Sequence, residues 1–532
     1  MPGDASVLKQ QKTRTRLPEH GEPGKIVDIV GPGPCGPETP LPPGTDHSFT
    51  GATVTANSDP PSRPPARDRT RPEPFSREPL STVRRSELIG AVSYALDMTE
   101  GQPPGHCLRS CLIGMTVTRS LALSSAERSD LYYTLLLKDA GCSSNAARLW
   151  ELYGSDDRAI KSDFKTVDSQ NLLPLARFVF RHAGTGESLS QKLKRVLFLS
   201  RYGETLATEL VQTRCERGAE IARQLGFGEE VARGIFCLDE HWNGKGHPQG
   251  LSADRIPFGS RTALLSQVVD VFHHLGGRDR AIREIRSRSG TWFDPALVDL
   301  FLAESRDPDF WRALAPEGLE ERVQALEPEE TLLFIDDPML DRIAEVFARI
   351  IDVKSPYTHG HSRRVGRFGE ILGRSMGLAP DTTAWIRRGA LLHDLGKLGI
   401  SNAILDKPGK LTPEEWQEIR KHPLYTEQIL GKIRIFGWLA KVAGNHHERP
   451  DGQGYPHCLD GEGILLETRI ITTVDIFDAL TAARPYRGPM PVDQALSLME
   501  KEIDSALDDR CFSALRACLP ECLEESADPA GE

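Results

Sequence analysis

Residues 445–456 read NHHERPDGQGYP and residues 392–397 read LHDLGK. Two adjacent histidines, a His-Asp doublet and a Gly-Tyr-Pro turn thus share one C-terminal stretch. Local signals place them near helix ends. In LTPEEW, Thr412 suits an N-cap, Pro413 the first helical position and Glu415 the far side of a capping box. A helix is therefore expected from about 413 towards His422, with His422 at its C-terminal end before Pro423. Ala384 to Leu395 is a second helical pattern that turns apolar in GALLHDLG and is broken by Gly396, so it delivers His393 and Asp394 from a buried helix end. Asp475 lies in RIITTVDIFDAL, whose other residues are largely apolar. An ionised carboxylate buried there costs on the order of several kcal/mol unless a cation or strong hydrogen bonds compensate it, and a cation is the favoured partner. Asp478, one turn later, reads either as a further ligand or as a carboxylate that orients one or caps a helix.

Imidazole and carboxylate together suit Fe, Mn or Zn, whereas a soft site needs thiolates, and none of the ten cysteines falls among these residues. The candidate ligands are His361, His393, Asp394, His422, His446, His447 and Asp475, and seven such donors are enough for two metals. Taken singly, each His also fits a hydrogen-bonded core histidine, and His359 and His457 match no ligand position.

Residues 341–520 resemble an HD-GYP domain, the cyclic di-GMP phosphodiesterase branch of the HD phosphohydrolases. The resemblance is carried by YTHGHSRRV (His361), LLHDLGK (His393, Asp394, Lys397), KHP (His422), NHHERPDGQGYP (His446, His447, Tyr455) and VDIFDALTAARPYR (Asp475, Arg484, Arg487), in that order. It implies an all-helical bundle in which Asp394 bridges two divalent ions, one held by His361, His393 and Asp475 and the other by His422, His446 and His447. Fe or Mn is favoured, with Zn, Ni, Co and Mg compatible. Some members hold a third metal through a carboxylate where this chain has Tyr357, so two metals are expected. The implied chemistry is in-line attack of an activated water on phosphorus, with Asp394 and Lys397 as catalytic residues and Lys397, Arg484 and Arg487 neutralising phosphate oxygens. Tyr455 either contacts substrate or packs on a neighbouring helix. Pro450 departs from the aromatic residue common in the family.

An internal repeat sets the domain layout. A shift of 255 aligns GHCLRS at Gly105 with GHSRRV at Gly360, and LLLKDAGC at Leu135 with ALLHDLGK at Ala390; a shift of 208 aligns EHWNGKGHP at Glu240 with ERPDGQGYP at Glu448. The first copy therefore carries a 47-residue insertion (255 − 208). In it His106 matches His361 and Asp139 matches Asp394, but Lys138, Cys142, Arg214, Leu238, Asp239, Gln267 and His247 replace His393, Lys397, His422, His446, His447, Asp475 and Tyr455. Cationic side chains in ligand positions predict a copy without two metals and without activity. The expected fold is all-α, two tandem HD-type bundles, divided into a disordered Pro-rich tail (1–82), the degenerate module (83–304), a linker (305–340) and the catalytic module (341–525).

The 532-residue chain is 39% hydrophobic and 27% charged, as in ordinary globular proteins, and its first 80 residues hold 16 of 38 prolines. A net charge of -11 argues against wide contact with DNA or anionic membranes. With no apolar run long enough for a span and no signal-peptide core, a cytoplasmic protein with reduced thiols is expected. The expected partners are a cyclic dinucleotide substrate and, through the degenerate module, a second copy or a signalling partner. Two function classes remain, an enzyme hydrolysing cyclic di-GMP or a related phosphoester, and a noncatalytic cyclic-dinucleotide sensor. The complete ligand set with Lys397 favours the enzyme.

Overall fold

The capping box at Thr412 forms. Glu415 N–H donates to Thr412 Oγ1 (3.3 Å), Thr412 N–H donates to Glu415 Oε2 (2.7 Å), and the helix Pro413–Ile419 follows. That helix stops at Ile419, and His422 is instead the first residue of a new helix, His422–Leu430. The expectation that His422 ends a helix is corrected here. Proline has no N–H to lose in a first turn, so Pro423 marks a start as readily as a stop.

The computed structural model describes residues 82–167, 172–184, 188–328, 332–334, 336–355, 360–407, 409–482 and 488–526. The expected tail lies outside these, except Thr82. The fold is all-α. Among the described residues the only strands are Thr82–Arg84 and Leu332–Phe334, paired antiparallel with Val83 opposite Leu333. The main helices of the first copy are α1 Arg85–Glu100, α2 His106–Val117, α3 Ser125–Leu137, α4 Ala146–Tyr153, α5 Asp157–Phe164, α6 Leu172–His182, α7 Leu189–Gln224, α8 Glu229–Phe236, α9 Phe258–Ser287 and α10 Pro295–Glu304. Those of the second are α11 Asp337–Asp352, α12 His361–Ser375, α13 Pro380–Leu392, α14 Pro413–Ile419, α15 His422–Leu430, α16 Gly437–Gly444, α17 Leu466–Thr481, α18 Val492–Glu500 and α19 Asp509–Ser526.

Both repeat registers reappear as matching hydrogen bonds. At the shift of 255, Gly105 N–H donates to Asp97 and Gly360 N–H to Asp352 (2.8 and 3.1 Å). At the shift of 208, Glu240 accepts the N–H groups of Gln249 and Leu251 (2.6 and 2.8 Å), and Glu448 those of His457 and Leu459 (2.5 and 2.8 Å). A Cβ on Gly141 would strike the carbonyl oxygen of Arg214, and one on Gly396 that of His422. Glycine two residues after the Asp is thus what lets α7 in the first copy and α15 in the second cross against the turn.

The two copies share apolar packing. Leu96, Ile113, Leu135 and Val268 of the first belong to one buried cluster with Leu395, Leu398, Ile429 and Phe436 of the second, while Val365, Ile386, Val474, Phe477 and Phe512 form a separate core. The segment read as a linker packs on the first copy. Phe310, Leu319 and Val323 are buried, Tyr132 Oη donates to Val323 O (3.2 Å) and Tyr133 Oη to Glu327 (2.8 Å).

Among the described residues no helix is long and apolar enough to cross a membrane. Among the described residues eight cysteines are buried free thiols.

Candidate metal centre

Four helix ends converge on Asp394. Gly360, at φ 69°, turns the chain into α12 so that the helix opens on a buried His361. His393 caps the C-terminus of α13 with Asp394 next, His422 opens α15, and His446 follows α16. His393, His422 and His446 each donate Nδ1–H to the carbonyl three residues earlier, Ala390, Ile419 and Ala443 (2.7, 2.6 and 2.7 Å). This turns each Nε2 inward and, for the neutral His422 and His446, fixes the tautomer with its lone pair facing the centre. His361 is held differently. Its Nδ1 lies 2.7 Å from Asp478 Oδ2, and Arg364 grips the same carboxylate through Nε and Nη2 (2.6 and 3.0 Å).

The two oxygens of Asp394 face different sets of donors. Oδ2 lies 3.3 Å from His393 Nε2 and 3.6 Å from His361 Nε2, and His361 Nε2 is 3.3 Å from Asp475 Oδ1. Oδ1 lies 3.4 Å from His422 Nε2 and 3.9 Å from His446 Nε2. Donor atoms of His361, His393 and Asp475 lie within 4.8 Å of one another, as do those of His422, His446 and His447. The structure therefore brings together all seven residues singled out by sequence, in two triads on either side of one carboxylate. Lys397 Nζ pairs with Asp394 Oδ2 at 2.5 Å.

The donor set fits two cations. His393 Nε2 and Asp394 Oδ1 are buried without a hydrogen bond, a costly state unless something binds there. Burial holds His422 and His446 well below the ordinary imidazole range and lowers His447 to about 4, which leaves neutral imidazoles. Burial also opposes charge on His393, but Asp394 and Asp475 outweigh it and raise that imidazole to about 10. Burial alone would raise Asp394 and Asp475. His393 and Lys397 beside the first, and His361 and His393 beside the second, hold both well below the usual carboxylate range. A proton on His393 is what a bound cation would release.

Tyr455 stacks on His447, with ring centroids 4.8 Å apart, and the Arg420 guanidinium lies 5.3 Å from its ring. Arg484, Arg487, Tyr357 and His359 lie outside the described residues. His457 is exposed and pairs with Glu427 (2.7 Å). Sequence reading left Asp478 open between two roles; here it orients His361. It missed Arg364, although that residue follows His361 by three, and Thr426, which accepts from Gly396 N–H and donates to the His393 carbonyl (both 2.8 Å).

The matching centre of the first copy is filled by its own cations. His106 Nδ1 keeps its carboxylate, Asp270, at 2.7 Å, and Arg109 pairs with it. Lys138 Nζ lies 3.0 Å from His106 Nε2 and pairs with Asp139. Lys165, at the C-terminal end of α5, sits 2.9 Å from Glu100, 3.7 Å from Asp139 and 3.5 Å from His106 Nε2. Glu100, Asp139 and Cys142 are near enough together to hold an ion, but the Lys165 ammonium pairs with both carboxylates. Burial works against its charge, and Asp139 and Glu100 outweigh that and raise it. Arg214, at the His422 position, pairs with Asp239.

A family model described as an HD domain matches residues 193–297 and 345–511, one span in each copy. The chain is 49% identical over 439 residues to the 3′3′-cGAMP-specific phosphodiesterase 3 of Vibrio cholerae, covering 82% of this chain and 95% of that protein. It is 33% identical over 249 residues to the cyclic di-GMP phosphodiesterase response regulator RpfG of Xanthomonas campestris pv. campestris, covering 44% of this chain and 64% of that one. A crystal structure of a cyclic GMP-AMP specific phosphodiesterase of V. cholerae, V-cGAP3, superposes with a TM-score of 0.59 at 45% identity, over 83% of this chain and 98% of that one.

Proposed function

This chain belongs to the HD domain family, and on that footing we propose that it is a metal-dependent phosphodiesterase that opens a 3′,3′-linked cyclic dinucleotide, with 3′3′-cGAMP the preferred substrate. The observation that carries the reaction class is the pair of buried triads on the two oxygens of Asp394. The preference for 3′3′-cGAMP is supported by the relative of that name, which this chain matches over 95% of its length. Cyclic di-GMP is the second reading, favoured by the likeness to RpfG and by the full HD-GYP motif set.

His361, His393 and Asp475 would hold one divalent ion, His422, His446 and His447 the other, and Asp394 would bridge them. Fe or Mn is the favoured metal, and Zn, Ni, Co or Mg suits the same donors. Two bound ions supply Lewis acidity and an activated water nucleophile. Lys397, held by Asp394, neutralises a non-bridging phosphate oxygen, and Arg484 and Arg487 serve the same end. Tyr455 buttresses His447. The degenerate module (83–304) is inactive because Lys138, Lys165 and Arg214 already occupy its centre with positive charge, and the catalytic module spans 341–525.

The test is to load the purified chain anaerobically with Fe(II) or Mn(II), supply 3′3′-cGAMP and cyclic di-GMP separately, and resolve linear products by chromatography beside Asp394→Ala. Linear product from the wild type alone supports the reading. Two bound metals with no turnover of either substrate would instead favour the sensor.

A further inference from the structure

Six of the nine large hydrophobic side chains exposed on the described surface fall between residues 180 and 202, inside the insertion carried by one copy. Leu189 (86% exposed), Leu193 and Leu197 recur every four residues along α7 and share a face. Phe180 on α6 is 64% exposed, and Lys192 Nζ lies 4.8 Å from its ring, which ties the two helices' outer surfaces together. Phe198 and Tyr202 continue the apolar surface, with ring centroids 5.2 Å apart. The hairpin has a separate inner face. Leu152, Ala183 and Leu199 are buried against Val179, Val196 and Leu206, and Arg195 anchors α7 to the carbonyls of Glu151 and Leu152 (2.6 and 2.7 Å). The outer leucines are thus surplus to the hairpin's own packing, and an exposed apolar patch of this kind marks an interaction site.

Charge identifies the occupant. Residues 172–202 contain Arg177, Arg181, Lys192, Lys194, Arg195 and Arg201 against one acid, Glu187, in a chain of net charge -11. Arg177, Lys194 and Arg201 are exposed. A second copy related by a two-fold axis would set this basic stretch against itself. Long apolar side chains interleaved with Lys and Arg match the layered chemistry of a bilayer surface, with anionic headgroups above and acyl chains below. We propose that the hairpin of α6 and the N-terminal half of α7 docks on the surface of an anionic lipid bilayer. The overall negative charge opposes broad contact and leaves this patch as the point of attachment.

The experiment is flotation of the purified full-length chain with vesicles of phosphatidylcholine, with and without phosphatidylglycerol, alongside sedimentation velocity. The wild type is expected to float with phosphatidylglycerol vesicles and progressively less as salt rises. Leu193→Glu/Leu197→Glu and Lys194→Glu/Arg201→Glu should each bind at least about tenfold more weakly at unchanged thermal midpoint. The second variant alters only exposed charges and keeps the test valid should the first misfold. No flotation, or equal flotation with both vesicle types, overturns the proposal. So does a wild-type dimer that Leu193→Glu/Leu197→Glu splits in the absence of vesicle binding, which would make the patch a contact between copies.

Discussion

Asp478 Oδ2 lies 2.7 Å from His361 Nδ1, and Asp270 and His106 keep the same bond at the same distance in the copy that has lost most of its ligands. In the second copy the bond turns Nε2 of His361 towards Asp394 and Asp475. Asp478→Asn should therefore lower metal affinity or turnover about 10- to 100-fold while leaving the fold intact. Metal content by mass spectrometry and turnover measured together check this, and a variant with wild-type values for both would remove the orienting role.

Removing metal should silence the second copy without unfolding the first. Lys138 and Lys165 already neutralise Asp139 and Glu100, so chelated protein should keep its far-UV circular dichroism, and reloading should saturate at two ions per chain. Four ions per chain would refute the filled centre.

Lys165→Ala should be costly. It leaves Glu100 buried without its ion-pair partner and Asp139 with Lys138 alone, a loss on the order of 3–5 kcal/mol when one member of a buried pair is deleted. Denaturant unfolding measures it; a change below about 1 kcal/mol, the range of an exposed pair, would show that water reaches the site.

Stability should carry a titration from Asp97. Burial, partly offset by the Cys107 N–H bond and Lys138, raises its carboxyl to about 6 from 3.8. The folded state then holds more protons than the unfolded state between about pH 4 and 6, so stability falls as pH rises through that window, by up to about 3 kcal/mol. Asp97→Asn should flatten this segment of the stability curve, and an unchanged slope would assign it elsewhere.

The first copy also grips the turn that carries Lys397. Arg158 Nη1 donates to Gly399 O (2.5 Å), and Asp157 accepts the Asn402 N–H (2.9 Å). Arg158→Ala should reduce turnover several-fold at unchanged metal content, and more for kcat than for KM, because it loosens the position of Lys397 rather than a ligand. Equal turnover in the two proteins would make this contact purely structural.

Most of the centre was legible because its chemistry is local. A buried Asp475 in an apolar helix and paired histidines after a helix each demand a partner, whichever way the helices cross. The place of His422 was misread since Pro423 signals both helix starts and stops, and only the packing of Gly396 against the His422 carbonyl decides between them. Lys165 could not be seen at all. At the shift of 255 it matches Arg420, which is not a ligand position, and its role depends on a fold that brings the C-terminal end of α5 to Asp139. The shared core was equally hidden, because apolar periodicity names a buried face without naming what covers it.

The fusion of two copies into one chain has an evolutionary consequence. In a dimer of identical subunits a single gene encodes both centres, so a lysine that fills one fills the other and activity is lost. Here each centre mutates separately, while the peptide link keeps the two permanently at one-to-one stoichiometry whatever the protein's concentration. In the first copy the ammonium groups of Lys138 and Lys165 fill that centre, so the shape of this half should not depend on the cell's metal supply.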